Sequence, residues 1–244
     1  VIDLDKLLDD VSERVRMLAD TCVSEERMIH PSIIGMRGDE EIIVVMLAHH
    51  IRDEILAVTR TLVGGLALDA VAIANDGYQP TTPVNPRTGK LWRPGEMQDV
   101  VEHFDGIENG WIQETLVSEC ADRSGELRML VQPYRRRARR VKWKPTQRPI
   151  MVEGTMPNAL RQIMRETPFD PDWTDGDPAD PGGWEANEKR DITDAIVVEL
   201  LHNVVDAAIM MPAEPGSPRA RRLTEIFARS DLDATIVPPM FTHN

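Results

Sequence analysis

Leu4, Leu7, Leu8, Val11, Val15, Leu18 and Cys22 recur at three- and four-residue spacing, the period of one helix face, and predict an amphipathic helix over about Asp3 to Thr21. Pro31 and the stretch from Gly35 to Gly38 then break the chain ahead of Glu41 to His49, a Val/Ile-rich run of strand length. Ile51, Ile55, Val58 and Leu62 return to helical spacing, so a second helix follows directly, and Gly64-Gly65 ends it. The run Leu68 to Ala74 reads as the next strand, closed by the turn residues Asn75-Asp76-Gly77. Strand, helix and strand in so short a stretch form a crossover unit, with both strands in one sheet.

From Tyr78 to Gly110 the chain turns polar and is punctuated by Pro80, Pro83, Pro86, Gly89, Pro94 and Gly95, with one helical patch near Glu96 to Phe104. A connection of that length in a compact domain is usually functional or ordered by a partner. Trp111 to Ala121 and Glu126 to Tyr134 read as a hairpin turning on Asp122-Arg123-Ser124-Gly125, with a third strand over about Arg137 to Trp143. Beyond Pro149 a short helix spans Pro157 to Arg165, an Asp/Pro/Gly/Trp-rich loop spans Glu166 to Arg190, and Asp191 to Met211 reads as a strongly apolar helix. A last helix has Ser217 as its cap and Pro218 in its first turn, and ends near Ser230.

These elements make an α+β fold: a mixed sheet of about five strands with a crossover helix, an N-terminal amphipathic helix and a helical C-terminal extension. The expected domains are an α+β core over 1-150 and a helical extension with an acidic Pro/Gly-rich loop over 151-244. A chain of 244 residues buries a core without staples, and Cys22 and Cys120, lacking metal-ligand spacing, read as buried thiols of a reducing compartment. No run approaches the roughly 18 apolar residues of a membrane helix. Val1-Ile2-Asp3-Leu4-Asp5 is acidic where a secretory signal is basic, so the expected location is the cytoplasm.

Charge sharpens the picture. The net charge is −13, yet Arg135, Arg136, Arg137, Arg139, Arg140, Lys142, Lys144 and Arg148 lie between Tyr134 and Ile150 with no acid among them. Taking those eight from the 28 Lys and Arg leaves 20 bases against 41 acids elsewhere. Such a stripe on an acidic body docks a phosphate backbone, another subunit's acidic face or an acidic loop of its own chain. With Trp143 it is the candidate subunit or nucleic-acid contact. On a continuous strand, alternation places Arg135, Arg137, Arg139 and Trp143 on one face and Tyr134, Arg136 and Arg140 on the other. Nucleic acid is disfavoured because the acidic remainder opposes it.

Catalytic chemistry is harder to find. His49 and His50 precede Asp53 and Glu54 by one turn, at the carboxyl end of a strand where ligands gather, but a metal needs three or four ligands and no second motif supplies the rest. Glu199 and His202 form an E-x-x-H pair without the second pair that a di-metal bundle requires. Asp170, Asp172, Asp175, Asp177 and Asp180 suggest a calcium loop by composition, but Thr174 breaks the alternation. There is no G-x-S-x-G, Walker loop, G-x-G-x-x-G or H-E-x-x-H, so neither a cofactor nor enzymatic activity is expected.

Asp69-Ala70-Val71-Ala72-Ile73-Ala74-Asn75-Asp76-Gly77-Tyr78, Glu114-Thr115-Leu116-Val117, Ala121-Asp122-Arg123-Ser124-Gly125 and Tyr134 together resemble a set of uncharacterised proteins of high-GC actinobacteria and their phages. The resemblance covers about a third of the chain and carries no activity to any residue. It implies a phage or accessory protein. The expected function is therefore a non-enzymatic assembly or structural protein, such as a phage virion component contacting other subunits in the host cytoplasm or the particle. The alternative is a metal-dependent hydrolase or a nucleic-acid-binding accessory protein.

Overall fold

A computed structural model describes residues 2–24, 29–38, 40–48, 51–93, 95–137, 140–148, 155–168, 198, 201, 207–230 and 234–238. Helix α1 (Leu4–Ser24) is followed by strands β1 (Ser32–Arg37) and β2 (Glu40–Leu47), helix α2 (Arg52–Gly65) and strand β3 (Ala70–Pro80). An excursion then holds β4 (Val84–Asn85), β5 (Lys90–Leu91) and α3 (Glu96–Phe104). Strands β6 (Ile112–Asp122), β7 (Leu127–Arg137) and β8 (Arg140–Trp143) come next, before α4 (Thr155–Glu166), β9 (Ala207–Pro212), α5 (Pro218–Ser230) and β10 (Ala234–Val237).

The architecture is α+β around a mixed sheet of eight strands rather than five, in the order β10-β9-β2-β1-β3-β6-β7-β8. Neighbours are antiparallel except β9 and β10, which are parallel. Strands β2 and β3 both pair antiparallel to β1 and so run parallel to each other, with α2 as the crossover between them.

Two of the three additional strands come from segments that propensity assigns otherwise; the third, β10, lies in a stretch to which the sequence pattern assigns no element. The supposed break from Pro31 to Gly38 contains β1. Gly35 belongs there because a Cβ at that position would stand 2.5 Å from Leu68 Cδ1. The end of the expected Asp191 to Met211 helix is instead β9, paired with β2 from Val44↔Met210 to Leu47↔Ala207. An apolar run of that length satisfies either period, and the open edge of β2 selects the strand. Residues beyond 150 thus add two strands to the same sheet, in place of a purely helical extension.

Alternation sorts the side chains between two helical layers. Leu4, Leu7, Leu8, Val11 and Val15 of α1 cover one face, over Ile34, Val44, Ala72, Leu116 and Leu130. Helices α2, α4 and α5 cover part of the other face, over Ile33, Val45, Ile73 and Ile209. Each fully buried Leu or Ile contributes about 2 kcal/mol. Between Gly35 and Met36 a β-bulge shifts the register, so Ile42 and Ile43 both join the α2-side core while Glu41 turns to the α1 side. There Glu41 meets Arg14 of α1 at 2.6 Å, in an ion pair buried on both sides.

Strand β3 does not stop at Asn75-Asp76-Gly77. It stays extended to Pro80 because β6 pairs with it residue for residue, from Ala70↔Asp122 to Pro80↔Ile112. The turn-rich excursion beyond it is held by its own hydrogen bonds. Thr81 N–H donates to Trp111 O at 3.0 Å, Trp92 Nε1–H donates to Thr82 O at 2.8 Å, and Asn85 Nδ2 donates to Glu96 Oε2 at 3.2 Å. Among the described residues no helix is long and apolar enough to cross a membrane.

Candidate functional site

The basic stripe is folded into a hairpin, and the hairpin divides it. Tyr134↔Trp143, Arg135↔Lys142, Arg136↔Val141 and Arg137↔Arg140 are cross-strand partners, so two residues separate the paired strands in sequence. That spacing makes odd positions of β7 face even positions of β8, unlike one continuous alternating strand. Trp143 consequently joins Tyr134 and Arg136 on the α1 face, while Arg140 and Lys142 join Arg135 and Arg137 on the opposite face. Arg139 lies outside the described residues, and for Arg137 only the register position is described.

On the α1 face the cations are consumed by acids of the same chain. Tyr134 donates its hydroxyl to Asp76 Oδ1 at 2.6 Å, Arg136 Nη2 reaches Asp76 Oδ2 at 3.0 Å, and Arg136 Nε reaches Glu114 Oε1 at 2.6 Å. The Tyr134 and Trp143 rings lie 5.2 Å apart and close the network on the hairpin side. Burial raises Asp76 to about 6 despite the hydrogen bond from Tyr134 and the Arg136 guanidinium, while burial and the nearby Asp76 push the Tyr134 hydroxyl far up. At the other end of α1, Arg148 binds Asp5 and Asp9 at 2.6 Å each. These groups are internally satisfied and position the β6–β7–β8 corner against α1.

The opposite face is different. Arg135, Arg140 and Lys142 are exposed, and neither β7 nor β8 contains an acid. Lys144, hydrogen-bonded through its N–H to Pro133 O, extends the row and points its Nζ at Gln113 Oε1, 2.7 Å away. Arg135 opposite Lys142 is a like-charge cross-strand pair, and Arg137 holds the register position opposite Arg140. A like-charge pair opposes folding by a few tenths to about 1 kcal/mol. An edge hairpin with this arrangement holds donors and positive charge in a plane, ready for an anion brought from outside.

Other expected sites fare differently. His49 and His50 lie outside the described residues, as do Glu199, His202 and the run from Asp170 to Asp180. Asp53 is exposed and Glu54 half-buried in the first turn of α2, where acids oppose the helix dipole favourably. Among the described residues no group of three or more His, Cys, Asp and Glu is placed to hold a metal ion. Cys120 is a buried free thiol whose Sγ donates to Leu4 O at 3.3 Å, and burial pushes its pKa up; the Cys22 side chain is not described.

Sequence reasoning missed two acids at this corner and one beyond it. Asp76 and Glu114 are joined only by strand register across the excursion, and Asp76 stood in an apparent turn. Glu119 lies on the α2 side of β6, between Ile73 and Met129, 5 % exposed and with no hydrogen bond to its Oε2. Burial raises its pKa to about 7. Its signal was visible as an acid in the alternating row Thr115, Val117, Glu119, Ala121, whose last member is core. No family model, curated protein or solved structure matches the chain.

Proposed function

We propose that the chain is a non-enzymatic assembly protein that docks an acidic protein surface onto the α2-side face of the β7–β8 hairpin, in the phage-particle setting that the resemblance implies. One observation carries the reading: exposed Arg135 stands opposite exposed Lys142, with exposed Arg140 on the same face, at an edge hairpin with no acid on either strand. The arginines of this stripe that serve the fold are found with acids, Arg136 with Asp76 and Glu114 and Arg148 with Asp5 and Asp9. Arg135, Arg140 and Lys142 serve no such pair among the described residues, and their mutual repulsion is relieved only when an anion arrives. A protein partner is favoured over nucleic acid because the rest of the chain carries 41 acids against 20 bases, which repels a polyanion beyond the hairpin.

The test is the particle mass of the full chain by light scattering after gel filtration, beside Arg135→Glu/Lys142→Glu. The unmodified chain is expected to form oligomers that the double variant loses, with the same circular dichroism and no co-purifying nucleic acid in either. An unmodified chain that stays monomeric at every concentration, or a double variant whose only change is loss of bound nucleic acid, overturns the reading.

A further inference from the structure

The acidic surface that complements the hairpin is present on the chain itself. No Lys or Arg occurs between Arg93 and Arg123, and the first half of that stretch carries Glu96, Asp99, Glu102, Asp105 and Glu108. These acids sit on α3 and the turn after it, where Asp99, Glu102, Asp105 and Glu108 are exposed. The same excursion displays Leu91 at 70 % exposure and Val84 on the paired strand opposite it, while Arg87 stacks its guanidinium 3.2 Å over the Phe104 ring and, with Lys90 and Arg93, offsets part of the acidic charge. Exposed acids on one helix give this excursion the charge to meet a cationic face.

Position decides which copy can use it. Pro80 pairs with Ile112 and Glu114 with Tyr134, so the base of the excursion and the turn of the β7–β8 hairpin lie at the same end of the sheet. Within one chain the two surfaces do not meet: among the described residues Arg135, Arg140 and Lys142 form no ion pair with an acid of α3, whose Asp99 lies instead 4.0 Å from Arg87 and 3.9 Å from His103. A second copy can bring them together.

We infer that the cationic hairpin face of one copy receives the acidic α3 excursion of another, head to tail. This rests on the assembly reading above and names the partner of that same face. The two surfaces differ, so the contact is heterologous: a pair of copies keeps one free hairpin face and one free excursion, and repetition gives a closed ring or an open filament. The excursion's own hydrogen bonds hold it in shape before it docks, which limits the entropy lost on association.

Charge exchange tests the pairing. Two full-length variants are compared with the unmodified chain by native mass spectrometry and light scattering: Arg135→Glu/Lys142→Glu reverses the hairpin face, and Glu102→Lys/Glu108→Lys reverses the excursion. All four sites are exposed. Each variant alone is expected to assemble at least tenfold more weakly than the unmodified chain. An equimolar mixture restores assembly, because each reversed surface meets its complement on the other variant, and a chain carrying all four substitutions assembles by itself. If the hairpin variant fails to assemble while the excursion variant assembles normally, the assembly reading stands and this inference falls. If both variants lose assembly but neither the mixture nor the quadruple chain regains it, the direct pairing is refuted. A monomeric unmodified chain removes both.

Discussion

Replacing Arg123 with Ala should destabilise the fold more than any exposed substitution in the β7–β8 hairpin. Arg123 sits in the Asp122-Arg123-Ser124-Gly125 turn between β6 and β7, where Asp122 Oδ1 accepts from the Glu126 N–H at 3.0 Å and Gly125 takes φ +83°. Its guanidinium donates from Nη2 to Val63 O at 3.0 Å, from Nε to Leu68 O at 2.8 Å, and from Nη1 to Met164 O at 3.2 Å and to Thr167 O. One side chain thus caps the carboxyl ends of α2 and α4 and the entry to β3, where a positive charge also meets the negative ends of both helix dipoles. A hydrogen bond from a charged donor contributes about 1.5 kcal/mol net, and four would give about 6 kcal/mol if none were replaced. Arg123 is half-buried, so water takes over part of the loss. The expected cost of Arg123→Ala is about 3 kcal/mol. For a chain of this size that lowers Tm by about 6–12 °C. Arg123→Lys should recover less than half, since an ammonium has three donors at one point and cannot span two helix ends. Urea and thermal unfolding followed by circular dichroism measure both. An Arg123→Ala protein within about 0.5 kcal/mol of the unmodified chain would refute the capping role.

Glu119 sets a pH dependence with a definite sign. Its pKa rises from 4.5 in the unfolded chain to about 7 in the folded one, so its contribution is complete below about pH 4.5 and is lost as pH rises through 7. The loss is about 3 kcal/mol, and Glu119→Gln should flatten urea-derived stability between pH 5 and 8; an unchanged slope in that variant contradicts the burial of the carboxyl. Asp76, raised to about 6, adds a slope of the same sign at lower pH, which the Glu119 variant retains. Arg14→Ala removes the guanidinium 2.6 Å from the buried Glu41 carboxylate and should cost about 3–5 kcal/mol, whereas Arg14→Met/Glu41→Leu should fall within about 1 kcal/mol of the unmodified chain. Equal destabilisation by the single and double changes would show that packing, rather than charge, dominates there.

What the sequence made legible was local, and what it hid was register. The spacing of Leu4, Leu8, Val11 and Val15 marked the buried face of α1, and Ser217, whose Oγ accepts from the Ala220 N–H at 3.1 Å, marked the start of α5. The β6–β7 hairpin was visible because Gly125 supplies its positive φ. By contrast, Ala207 to Pro212 is apolar enough for helix or strand, and only the edge of β2 decides between them. Asn75-Asp76-Gly77 favours a turn locally, but a long pairing with β6 keeps it extended. The arginine stripe was plain from composition. Its division into a satisfied row and an exposed one depends on a two-residue separation that reverses parity, and alternation alone cannot supply that.

The central claim is that the exposed cations on the hairpin face hold copies of the chain together by charge. Its most direct measurement is the mass of the unmodified chain in solution at fixed protein concentration, from 50 mM to 1 M sodium chloride. The expected result is an oligomer at low salt that falls to the 27.5 kDa chain as screening shortens the Debye length from more than 10 Å to about 3 Å. A mass of 27.5 kDa at every salt concentration, or an oligomer indifferent to salt, would contradict it.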